Sequence, residues 1–231
     1  MQVFFLQIKT FFSMSLKKTL LASDLFLIWI TVSLIYIFIQ LLMNTYVLTE
    51  DVFIESYSGI LASEQIISIL KAKEEWGWIS YFIPLVYIPI KALFTAAALL
   101  VGLVLYNKEM DFKLVYKVVL LAESVFILAT IVQFVGLVFF IHPQTINELN
   151  SFAPLTLASI VTIEDFPKWI TPLLYGVSLY ELFYVLALSY FISDDKDLYV
   201  NWIAPISASY LIWFIFIYSF LLYLSLQLNP A

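Results

Sequence analysis

The feature that most limits what this chain can fold into is a set of long apolar runs that hold almost no charge. About 20 predominantly apolar residues suffice to cross the roughly 30 Å hydrocarbon core of a bilayer as a helix. Five such runs are present, at about 21–43, 84–106, 115–140, 169–191 and 202–226. Lipid offers no partner to a free backbone N–H or C=O, so runs of this length are helices. The expected fold is therefore all-α, a polytopic transmembrane helical bundle of about five spans. Composition agrees: 63% of residues are apolar, against roughly 45–50% in a soluble domain, and mean hydropathy is +0.99. No segment between the runs is long enough for a separate soluble domain.

Residues 1–20 do not form a span. Phe4, Phe5, Ile8, Phe11, Phe12 and Leu16 recur at helical spacing among Gln2, Lys9 and Ser13, the pattern of a helix lying in the membrane interface. Lys17 and Lys18 then precede an apolar run reaching Met43. That run exceeds the roughly 7–15 residues of a signal-peptide core, so it reads as a retained anchor. The chain thus divides into an N-terminal interfacial segment, 1–20, and a five-span membrane domain, 21–231. Pro84, Pro172 and Pro205 fall in the first turns of their spans, where a missing N–H costs nothing. Pro89 predicts a kink in the second span. Trp76 and Trp78 suit an interfacial belt.

Two loops carry most of the polar residues. In the first, about 44–78, Ser63–Glu75 reads as a short amphipathic helix with Ile66, Ile67, Ile69 and Leu70 as its apolar residues. The second, about 141–168, opens with His142-Pro143, and Thr145 and Glu148 have capping-box spacing. Its apolar stretch Phe152 to Ile163 is too short to cross, so it is re-entrant, interfacial or packed on the bundle. With the N-terminus inside, seven lysines fall on the cytoplasmic side and three outside, Lys91 being within a span. This asymmetry predicts an inside N-terminus and, after five crossings, an outside C-terminus.

Several function classes drop out. All eleven basic residues are lysines, net charge is −6, and no basic cluster exists, so nucleic acid is not a partner. With no cysteine and one histidine, His142, thiolate chemistry and the HExxH zinc pattern are excluded. No nucleophile elbow or phosphate-cradling glycine loop occurs. The expectation is a non-enzyme with no catalytic residues, no cofactor and no metal, whose surroundings are the bilayer and, beyond it, a membrane-protein partner or a second copy.

The residues that stand out are ionisable side chains within spans, which are costly there and usually face the bundle interior. They are Lys91, Glu123 and Glu181. Small and polar neighbours mark the interior faces: Lys91, Thr95, Ala98 and Gly102 in the second span; Glu123 and Thr130 with Gln133 beside them in the third; Thr171, Tyr175 and Ser178 with Glu181 beside them in the fourth. Such stripes are how membrane helices approach one another, so the second, third and fourth spans should pack together, with the first and fifth more lipid-facing. At about 1.5 Å per residue, Glu123 and Glu181 lie roughly 12 and 15 Å from the inner ends of their spans, and Lys91 roughly 23 Å from its own. These depths favour Lys91–Glu181 over Lys91–Glu123, with a lysine snorkelling to the headgroups as the alternative. The two glutamates are either packing elements bonded within the bundle or groups that handle protons or ions.

The stretch 60–226 resembles the Yip family, five-span membrane proteins named for interaction with Ypt/Rab GTPases and including many bacterial members. The resemblance rests on the outside helix at Ser63-Glu64-Gln65-Ile66-Ile67 and on Leu99-Leu100-Val101-Gly102-Leu103-Val104-Leu105-Tyr106 closing the second span. It rests also on Phe112-Lys113-Leu114-Val115-Tyr116-Lys117 entering the third. It implies a non-catalytic membrane organiser or adaptor, in a bacterial inner (plasma) membrane for the bacterial branch. The alternative carried by Lys91, Glu123 and Glu181 is a small secondary transporter or proton-coupled carrier.

Overall fold

The computed structural model describes residues 17–162, 166–167, 170–193 and 200–228, with side chains as far as 224 in the last helix. It is all-helical; among the described residues there is no strand, and one isolated bridge joins Thr156 to Ser178. Of the expected interfacial segment, residues 1–16 lie outside the described residues, while 17–22 are helical. Ile163, Lys168, Trp169 and Lys196 are also outside them.

Among the described residues, four helices are long and apolar enough to cross a membrane: Leu25–Tyr46, Ile83–Leu105, Phe112–Ile141 and Val200–Leu224. The first, α1 (Leu25–Tyr46), starts where Asp24 caps it by accepting from the Phe26 N–H at 3.0 Å. The outer loop that follows folds as α2 (Glu50–Tyr57) and α3 (Ser63–Trp76). Of the four apolar residues expected to define α3's face, only Ile66 is buried. Lys73 on α3 donates to the Leu48 carbonyl at 2.8 Å and lies over the Phe53 ring.

The second crossing is α4 (Ile83–Leu105), with Pro84 at its start and Pro89 inside. Pro89 has no N–H, so the carbonyl four residues back, Leu85, loses its helical partner. The Trp29 indole N–H of α1 donates to that carbonyl at 3.2 Å. The proline thus becomes an attachment point between the first two crossings.

The third crossing is bent. Asp111 caps α5 (Phe112–Ala122), accepting from Leu114 N–H. Helix α6 (Ser124–Gly136) follows after Glu123, and a wider turn, Leu137–Ile141, ends in left-handed His142 (φ 50°), which is exposed. Thr145 then caps α7 (Ile146–Ser151), accepting from Glu148 N–H, while the Glu148 carboxylate reaches back to Gln144 N–H. The capping-box pair is present, with its return bond displaced by one residue.

The expected continuous span at 169–191 is corrected. Among the described residues it is two pieces, α8 (Thr171–Gly176) and α9 (Leu179–Ile192), separated by extended backbone at Val177. Ser178 caps α9, so Thr171, Tyr175 and Ser178 form no continuous helical stripe. The backbone freed by the break is satisfied by the apolar loop before it: Leu157 N–H donates to Val177 C=O, and Leu179 N–H to Leu155 C=O, both at 2.9 Å. That loop is therefore packed on the bundle. It is anchored to α6 by Gln133, which donates to the Phe152 carbonyl at 3.2 Å, and by Phe152 lying where a Gly136 side chain would sit.

Helix α10 (Val200–Leu228) runs the length of the bundle and contains Pro205. Only 17% of its spanning window is buried, in line with the expectation that the fifth span is more lipid-facing, yet its contact with α4 is the most extensive in the bundle. Gly102 is the reason. A Cβ there would lie 2.8 Å from the Ser209 Cα, so only glycine permits that approach. The fully buried core is drawn from α4, α5, α9 and α10 and includes Leu99, Leu103, Val118, Leu120, Leu188 and Ile206. Large apolar side chains such as Phe38, Val101, Phe140 and Phe216 remain exposed around it, a surface suited to lipid rather than water.

Candidate functional site

The polar groups of the bundle interior gather around one ion pair. Lys91 Nζ of α4 lies 2.9 Å from Glu123 Oε2 at the α5–α6 bend, and the two side chains are 26% and 2% exposed. Lys91 also sits over the rings of Phe126, at 4.0 Å, and Tyr184, at 6.0 Å. This corrects the expected pairing with Glu181 and replaces snorkelling with a bond inside the bundle. The cause is where the helices begin and end. Asp111 starts α5 at Phe112, three residues earlier than the apolar run suggests, and α4 ends at Leu105. Counted from those ends, Glu123 lies about 16 Å deep and Lys91 about 21 Å, a gap a lysine stem spans.

Glu181, in the first turn of α9, lies about 16 Å from the Ile192 end. Its Oε2 accepts from the Tyr210 hydroxyl of α10 at 2.5 Å. The Tyr184 ring sits between the two pairs, 4.8 Å from Phe126 and 5.3 Å from Tyr210. Tyr36 of α1 packs against the same core. Side chains from α4, the α5–α6 bend, α9 and α10 therefore meet in one cluster, with α1 beside it. Glu123 Oε1 and Tyr184 OH, and Thr95 Oγ1 one turn from Lys91, are buried without a hydrogen-bond partner among the described residues. Buried polar atoms are normally satisfied, so each points to a water or ligand atom as its complement.

The remaining expected residues have local roles. Thr130 donates to the Phe126 carbonyl one turn back, so it does not reach another helix. Gln133 holds the Phe152 loop. Ser178 accepts from Glu181 N–H at 3.4 Å, which fixes the start of α9 and with it the place of the Glu181 carboxylate.

Beside this centre lies a partly open cavity of about 950 Å³ between α9, α10 and the Leu155–Ile160 loop. Leu182, Leu186, Leu211 and Phe214 contribute its apolar wall, and Glu181, Tyr210 and Ser207 its polar groups. Leu155 on its rim holds a left-handed conformation, φ 62°, uncommon for a bulky residue and characteristic of strained positions at ligand sites. No family model matches this chain, and no curated protein or solved structure matches it. The site is therefore read from its chemistry alone. That chemistry is an apolar groove between two apolar helices, with a carboxyl–phenol pair on its wall and an ion pair nearby.

Proposed function

We propose that this chain is a non-catalytic integral membrane protein that acts through lipid contacts, holding lipid chains in the groove between α9 and α10. One observation carries this reading: a partly open cavity of about 950 Å³ lies between two apolar helices and is walled almost wholly by apolar side chains. Ligand sites are commonly clefts of roughly 300–1,000 Å³, mostly apolar with a few polar groups. Where the surrounding helices lie in a bilayer, hydrocarbon chains are the solvent at the groove mouth. In this proposal the protein crosses five times, with α8 and α9 together as the fourth crossing and residues 1–20 as an interfacial helix. It resides in a bacterial inner membrane, as the resemblance to the bacterial branch of the Yip family implies, with the N-terminus cytoplasmic, as the lysine asymmetry implies. Native mass spectrometry of the detergent-purified protein should detect retained lipid. Ser207→Trp, which fills the groove, should lose it. Wild type that carries no more lipid than Ser207→Trp would sink the reading.

A second reading, a proton-coupled carrier, is favoured by the helix break at Val177 beside buried charges, a combination that transporters use at their binding sites. Reconstituted protein with a pH-sensitive dye tests it: proton flux in wild type that is lost in Glu123→Gln or Glu181→Gln supports the carrier, and equal leak in all three removes it.

A further inference from the structure

Resting on the reading that lipid chains fill the groove, we propose that its occupant is a diacylglycerol, bound by its free hydroxyl to the Glu181 carboxyl. The polar groups on the groove wall set the head chemistry. Tyr210 donates to Glu181 Oε2 and so fixes the carboxyl, and Oε1 has no partner among the described residues. An acceptor held at the edge of an apolar cavity selects a ligand with a donor. The wall contains no lysine. The nearest intramembrane ammonium, Lys91, is committed to Glu123 at 2.9 Å. A phosphate head would therefore meet a carboxyl and no cation, so anionic phospholipids are disfavoured by charge.

Depth makes the same selection. Glu181 lies about 16 Å from the inner end of α9, well within the hydrocarbon. A head carried to that level must be cheap to desolvate, and a single hydroxyl that makes a hydrogen bond is far cheaper than a charged group. Size sets the chain number. The partly open cavity of about 950 Å³ lies at the upper end of the roughly 300–1,000 Å³ of ligand clefts, room for two acyl chains side by side. Two chains and one free hydroxyl on an uncharged head describe a diacylglycerol.

The test compares three probes on purified full-length protein in detergent: dioleoylglycerol, the same lipid with its hydroxyl acetylated, and dioleoyl phosphatidate. Wild type should prefer dioleoylglycerol over both others by about tenfold, the worth of one hydrogen bond. Glu181→Leu should abolish the preference while still binding all three weakly through their chains. Tyr210→Phe, which keeps the ring packing, should reduce it. Thermal unfolding verifies that each variant is folded. Equal binding of the three probes, blocked by Ser207→Trp, would overturn the hydroxyl assignment and leave the lipid groove standing. A preference for phosphatidate would also overturn it. No binding of any probe, together with no retained native lipid, would remove the groove reading itself. So would efficient cross-linking between two copies through a cysteine at Leu182, since a second chain would then fill the groove.

Discussion

At the scale of single residues, the Lys91–Glu123 pair makes the sharpest energetic statement. Removing one partner of a buried ion pair leaves the other charge uncompensated and costs about 3–5 kcal/mol, whereas replacing both by apolar groups is often neutral. The two partners are not equivalent. Glu123 is 2% exposed and has no escape, while Lys91 is 26% exposed on a flexible stem. Lys91→Met should therefore destabilise more than Glu123→Leu, and the double variant Lys91→Met, Glu123→Leu should be more stable than Lys91→Met alone. Thermal unfolding of the four proteins in detergent measures this; a double variant as weak as the sum of the singles would show that the charges are not coupled. These residues were legible in the sequence because charge is rare inside apolar runs. Their pairing was not, because it depends on where Asp111 starts a helix. Tyr36, Tyr184 and Tyr210 gave no signal, being three of 15 tyrosines in helices where aromatic side chains usually pack.

At the scale of elements, two breaks in regular structure shape the bundle, and each is compensated by a neighbour. The break at Val177 is compensated by the Leu155–Leu157 backbone. It carried a sequence sign: Ser178 and Glu181 have the Ser-x-x-Glu spacing of a helix start, and apolar continuity across 169–191 hides it. The gap at Pro89 is compensated by Trp29. A partner on a distant helix leaves no local trace in sequence, and the same holds for the meeting of Gly102 with Ser209. The Trp29 bond yields a test. Trp29→Phe should cost about 1 kcal/mol by orphaning the Leu85 carbonyl. In a Pro89→Ala background, residue 89 regains an N–H that can take the carbonyl, so the same Trp29→Phe change should cost less. A double-mutant cycle of unfolding free energies reads the difference, and an equal cost in both backgrounds would mean that the indole does not serve the proline gap.

At the scale of the whole molecule, side-chain ties define one end of the bundle. Lys17 donates to the Ser193 carbonyl and to its hydroxyl at 3.2 Å. Lys117 donates to Leu21 and Ser23 carbonyls at 2.8 and 2.6 Å. Lys108 lies over the Trp202 ring at 4.6 Å. The residues just before α1, the turn between α4 and α5, the end of α9 and the start of α10 therefore sit together. Since α10 leaves that end and runs 29 residues without a turn, about 43 Å of helix, its far end emerges on the opposite face. The lysines at this end complement helix C-terminal carbonyls, and in the proposed topology this end is the cytoplasmic one. Counting crossings gives the same answer. Helix α9 alone is about 21 Å long and falls short of the bilayer core, but α8 adds about 9 Å across the Val177 break. Reporter fusions at Lys108 and at the C-terminus should therefore report inside and outside respectively. An inside signal at both would mean that α8 and α9 enter and leave by one face, leaving four crossings and detaching the groove from bilayer depth.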